Sequence, residues 1–128
     1  MPSATAGNVT EMDAQFFKNM GSKRVMVKYG PYLAPSASQG NGMQTFLEAN
    51  ATLPCNDCLI TFMQAGLEYP NGTYANADTG MWLHHGVLLD TAQKDSVCPK
   101  GIESLPVAPN RFFASGNERT PVNLCANG

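Results

Sequence analysis

The sequence predicts an all-β fold, an antiparallel β-sandwich with one short helix near its N-terminus. Two observations of composition and one of pattern carry this. Apolar residues fill 43% of the 128 positions and charged residues only 14%, well below the quarter or so usual in globular domains. Asn, Thr, Ser, Gly and Pro make up the difference, as they do in turn-rich β domains. The apolar runs are short, alternating or rich in β-branched and aromatic residues, and Gly, Pro and Asn clusters separate them. The length suits one domain with one core, and neither an internal repeat nor an interdomain linker interrupts it.

Residues 1–9 carry no core pattern and read as an arm. In TEMDAQFFKNMG, Thr10 stands where a helix cap would, with Asp13 three residues on and Gly21 as a stop. Phe16, Phe17 and Met20 give that short helix an apolar side. Arm and helix make an N-terminal segment, residues 1–20, ahead of a β domain spanning residues 21–128. KRVMVKYGPYL then alternates, with Val25 and Val27 on one face, and reads as a strand ended by Gly30 and Pro31. APSASQGNGM is a loop by composition. MQTFLEANATLP has a period-two centre and ends at Pro54. Residues 58–69, CLITFMQAGLEY, read as a buried strand. PNGTYANADTG holds an Asn-Gly hairpin signal, and MWLHHGVLL, residues 81–89, reads as the next strand, pairing across that turn with residues 59–69. Residues 91–110 form a long polar connection containing Cys98, and a last strand falls around residues 111–115. Five or six strands is few for a closed sandwich, which usually has about seven or more, so strands supplied by another chain are expected to complete it.

The net charge of -2, without a long basic or acidic run, points away from nucleic acid and anionic membranes. No window approaches the roughly 18 apolar residues of a membrane span. The opening MPSATAGNVT lacks the basic and apolar regions of a signal peptide. Three glycosylation sequons, at Asn8, Asn50 and Asn71, and an even count of four cysteines favour an extracellular protein carrying N-linked glycans, numbered from within a processed or truncated product. Cys55, Cys58, Cys98 and Cys125 read as two disulfides, with Cys55 and Cys58 each bonded to one of Cys98 and Cys125. Two pairings satisfy this. A zinc site lacks the finger spacing, and a redox Cys-x-x-Cys should open a helix, whereas Pro54 precedes this one and a β run follows. No phosphate-binding glycine loop is present, nor a nucleophile–histidine set in its usual context.

The only two histidines, His84 and His85, stand side by side in an apolar run. In a regular strand they would point to opposite faces, one buried and one in solvent, which is the common fate of such a pair. A metal site is the sharper reading, because neutral imidazole suits first-row metals, copper among them. It requires a bulge, which Gly86 permits, or a position at a strand edge. Met63 and Met81 are available as soft third ligands, although methionines more often fill cores.

DTGMWLHHGVLL, followed by a cysteine-containing loop and RFFASGNERTPV, resembles the first domain of the copper type II, ascorbate-dependent monooxygenases, the peptidylglycine alpha-hydroxylating type among them. It is similar, more closely, to fungal and plant relatives that include the stress-up-regulated nodulin family. Their pattern PCxDCxITxMQAGLEYxxGxxANxDTGxWLHHxVL matches residues 54–89 almost throughout, and the resemblance covers roughly residues 45–125. It implies a jelly-roll-like sandwich of eight or nine strands. It also implies that His84 and His85 are two of three histidines holding an electron-transfer copper. The family's third copper histidine and its catalytic second domain find no counterpart in this sequence, so the resemblance implies no complete enzyme in this chain alone.

Two readings follow. The favoured one is a structural extracellular glycoprotein that self-assembles into a homo-oligomer, polymer or filament by exchange of a strand or of the N-terminal arm. The alternative is a copper-binding redox domain, or fragment, of an ascorbate-dependent monooxygenase.

Overall fold

A computed structural model describes residues 7–96 and 109–116. The chain divides into two compact units, Met1–Leu59 and Ile60–Gly128, each described here by itself.

In the first unit, β1 (Asn8–Met12) pairs antiparallel with β2 (Arg24–Lys28), in a register running from Asn8 opposite Lys28 to Met12 opposite Arg24. Residues 8–12 therefore belong to a strand, and Thr10 caps no helix. Alternation in VMV and the β-branched Val9 and Thr10 favour this ladder over a helix begun by one weak cap. The helical piece shrinks to a single 3-10 turn, Lys18–Met20, and Gly21 ends it in the left-handed conformation, as its place in the sequence predicts. Beyond β2 the chain is irregular but tied back. The Thr52 backbone N–H donates to the Tyr29 hydroxyl at 2.9 Å, and the Gly7 N–H donates to Thr52 Oγ1 at 3.0 Å. Tyr32 stacks on Phe46 with ring centroids 4.2 Å apart. Loss of solvent raises the Tyr32 pKa above the ordinary phenol value, and the charges of Glu48 and Tyr29 add to that. The strand expected in MQTFLEANATLP does not form.

The second unit holds the other four strands. β3 (Leu67–Glu68) and β4 (Tyr74–Ala75) make the hairpin that the Asn-Gly step predicts, with Gly72 at φ 83° in its turn. β5 (His85–Lys94) and β6 (Pro109–Gly116) form the longest ladder. Two expectations are corrected here. Residues 58–66 are not a paired strand, and β5 pairs with β6 rather than with residues 59–69. β-branched and aromatic residues favour a strand only where a partner ladder and a covering layer exist, and β6 takes that place beside β5.

Every pairing among the described residues is antiparallel, and the only helical pieces are three 3-10 turns of three residues each. The fold is all-β. Among the described residues the strands lie in three two-stranded sheets. Ala75, 2% exposed, is the one buried apolar residue among the described residues, whereas Leu33 and Leu59 are each 89% exposed. No described helix is long and apolar enough to cross a membrane.

Cys55 and Cys58 are bonded to each other, with Cα atoms 6.2 Å apart. This corrects the pairing expected with Cys98 and Cys125, both of which lie outside the described residues. Asp57, at φ 50°, turns the backbone tightly enough to bring the two cysteines together, and a loop this short needs little entropy to close. Asn8, Asn50 and Asn71 are all exposed.

The far end of the β5–β6 ladder is fixed by charge. Arg111 Nε donates to Asp95 Oδ2 at 2.9 Å, and the Asp95 side chain is only 5% exposed. By contrast Lys23 and Glu11 meet at 3.5 Å with both side chains about two-thirds exposed. Arg111→Met removes a charged partner from a buried carboxylate and should lower stability by about 1–3 kcal/mol, at the low end of buried pairs because the guanidinium is half exposed. Lys23→Met should change stability by no more than about 0.5 kcal/mol. Urea denaturation midpoints compare the two, and equal effects would contradict the contrast in burial. Peptide mapping without reduction should recover Cys55 and Cys58 joined within one peptide. Either of them cross-linked to Cys98 or Cys125 would restore the pairing expected from the sequence.

Candidate functional site

The approach to the histidines is built by the segment just before them. After the 70–73 turn the chain enters a 3-10 turn, Ala77–Thr79, under a reciprocal cap. Asn76 Oδ1 accepts from the N–H groups of Asp78 and Thr79 at 3.0 and 3.1 Å, and Thr79 Oγ1 accepts from the Asn76 N–H at 2.8 Å. The Tyr69 hydroxyl donates to the Thr79 carbonyl at 2.7 Å, tying this turn to the end of β3. Gly80, at φ 94°, closes the turn in a conformation that side-chain-bearing residues rarely adopt. Side chain to backbone bonds of this kind are what Asn and Thr provide at turns. Together they fix where residue 81 starts.

The strand then begins at His85, not at residue 81. This decides the histidine geometry. Alternation of faces applies only between residues inside a paired strand, and His84 stands one position outside it. The two imidazoles therefore lie on the same side, with ring centroids 4.2 Å apart and planes tilted by 36°. Both residues are exposed. The bulge expected at Gly86 is absent. His85 pairs with Gly116, Gly86 with Ser115 and Val87 with Ala114 in unbroken register, and the shifts fall later, between Leu88 and Leu89 and between Asp90 and Lys94. The strand end, rather than a kink, brings the rings together.

Two neighbouring imidazoles offer two neutral nitrogen donors to one ion. The ring centroids are 4.2 Å apart and imidazole nitrogen is a usual donor to first-row metals, so the residue types and their closeness fit part of a metal site. It is not a complete one: no group of three His, Cys, Asp or Glu side chains is assembled among the described residues. Met63 lines a shallow open groove with Ile60, Phe62, Phe112 and Phe113. Met81 is half-buried just ahead of the pair. The Cys55–Cys58 disulfide holds no free thiolate for a metal.

Two features of the site escape a reading by motif. The Asn76–Thr79 cap is legible locally as an Asn followed three residues later by Thr, once a turn rather than a strand is sought there. Gly116 lies opposite His85 only because of the β5–β6 register, and no local signal gives that.

No family model matches the chain, and no solved structure matches it. Two curated fungal proteins do. One is a probable copper-dependent oxygenase of a Phoma species, 46% identical over 102 residues, which is 80% of this chain and 25% of that protein. The other is a probable copper-dependent oxygenase of Cochliobolus lunatus, 50% identical over 66 residues, 52% of this chain and 20% of that protein. A match of 102 residues within 128 necessarily spans positions 84 and 85. The chain thus covers about a quarter of the length of the first relative and a fifth of the second. The similarity supports a relationship to copper monooxygenase-like proteins.

Proposed function

We propose that this chain is a copper-binding β domain of an oxygenase, and that His84 and His85 supply two of the ligands. The observation that carries the reading is the placement of both exposed imidazoles 4.2 Å apart at a strand end, within a sequence close to proteins named as copper-dependent oxygenases. Bound copper would supply one-electron redox chemistry. The chain's own part is to present two neutral nitrogens, with the capped turn on one side and the β5–β6 ladder on the other fixing where they stand. A further donor, a methionine such as Met81 or a residue outside the described segments, completes the set. The jelly-roll-like sandwich, an oxygenase reaction using an external reductant such as ascorbate, and the tie to the stress-up-regulated nodulin relatives belong to this proposal, supported by the motif match over residues 54–89. So does an extracellular location with glycans on the exposed Asn8, Asn50 and Asn71. Self-assembly by strand or arm exchange is set aside, because residues 8–12 are already paired with β2 and the relatives are named for oxygen chemistry.

Purified full chain equilibrated with copper and desalted should retain about one copper per chain. His84→Ala and His85→Ala should each weaken copper binding by at least tenfold, and the double variant should abolish it. Metal analysis and competition with a chromogenic chelator read this out. Copper retained equally by the double variant would overturn the assignment. Material secreted by a eukaryotic host should lose mass on treatment with a peptide N-glycosidase, with Asn71→Gln removing part of the loss; no change in mass would remove the glycoprotein part of the proposal.

A further inference from the structure

Three glycines flank the histidine pair in space or sequence, and they are glycine for different reasons. Gly80 has a positive φ and open space where a Cβ would go. The backbone demands it, and no neighbour does. Gly86 has neither constraint: its φ is ordinary, and a Cβ would meet Leu83 Cδ2 at 3.5 Å and Ala65 Cβ at 3.7 Å, plain van der Waals contacts. Gly116 is the reverse of Gly80. Its φ is open to any residue, yet a Cβ there would stand 2.9 Å from His85 Cδ2 and 3.3 Å from His85 Nε2. Gly116 is the direct cross-strand partner of His85, and the atoms it would strike are the ring edge that carries Nε2.

We infer that Gly116 is a positioning residue for His85: its missing side chain is the space in which the Cδ2–Nε2 edge of the imidazole lies, with the ring centroid 4.2 Å from that of His84. The inference rests on the copper reading for its purpose and on the β5–β6 register for its geometry. Glycine is otherwise a poor choice in a strand, since alanine loses less backbone freedom on folding. A glycine held at an ordinary extended position, opposite a ring it would otherwise displace, is explained by that ring. A Cβ at 116 would rotate the imidazole rather than break the ladder, because the contact is with the movable end of a side chain. The His85 ring then leaves the place it holds beside the His84 ring. Displaced orienting groups around a metal typically cost about 10–100-fold in affinity.

The test uses the full chain and the variants Gly116→Ala and Gly86→Ala. In metal-free protein, the His85 ring resonances should shift in Gly116→Ala and stay in place in Gly86→Ala. Copper affinity should fall at least tenfold in the first and remain near the parent value in the second. A double-mutant cycle covers the case in which Gly116→Ala folds poorly. With His85→Ala already present, Gly116→Ala should raise the urea midpoint, as replacing a strand glycine ordinarily does, whereas with His85 intact it should not. Unmoved His85 resonances, or the same effect of Gly116→Ala with and without the ring, would overturn the inference. If the parent chain binds no copper, the copper reading fails, while the ring shifts and the cycle still decide the role of Gly116.

Discussion

The pairing of β5 with β6 is the constraint on which the site depends. It joins residues separated by a long connection, and bringing Lys94 next to Pro109 costs roughly 2 kcal/mol of loop entropy beyond the fixed cost of closure. The ladder's hydrogen bonds and the Asp95–Arg111 contact at its far end offset that cost. A buried carboxylate is tolerable only with a partner, so the pair also selects the register: slide β6 by one residue and Arg111 leaves Asp95 while every side chain changes face. The same register sets Gly116 against His85 at the other end of the ladder. One ion pair at the Lys94 end and one missing side chain at the His85 end are thus coupled through the two strands.

How far the sequence spoke for the structure differs by element. The β2 strand, the glycine stop at Gly21, the Asn-Gly hairpin and the last strand around residues 111–115 are local signals, each resting on turn chemistry or alternation within a few residues, and each survives. What fails is whatever needs a distant partner. Residues 58–66 have the composition of a core strand, but composition does not say which ladder they join, and among the described residues they join none. Thr10 looks like a cap only until β2 is seen to lie beside it. The cysteines mislead for a related reason: an even count predicts bridges, but the local turn at Asp57 decides that Cys55 meets Cys58.

The histidine pair shows the same division. Alternation along a strand would have separated the rings, and a glycine after them invited a bulge. Neither argument used the strand boundary, which depends on the Asn76–Thr79 cap and on where β6 ends. With His84 one residue outside the ladder, no distortion is needed to bring the rings together. Residue type was legible, since two imidazoles in an apolar run are unusual on any account. Their nearness was expected through a bulge or an edge position, and the strand end is what supplies it.

The exposed apolar side chains and the exposed imidazoles call for different explanations. In the second unit Ile60 and Phe62 are open to solvent at 48 and 55%, and exposed apolar side chains of this size gain from any layer that excludes water. Burial would stabilise them by a non-directional force that any complementary apolar surface could supply. The imidazoles gain from exposure, because a donor nitrogen must be reachable, but they need direction. The capped turn supplies it before His84 and the Gly116 gap supplies it beside His85. A site held from two sides by short-range hydrogen bonds and by register is less dependent on the covering layer than the apolar groove around Met63 and Phe112. The placement of the imidazole pair and the covering of the apolar side chains are therefore separable, because different residues and different forces carry them.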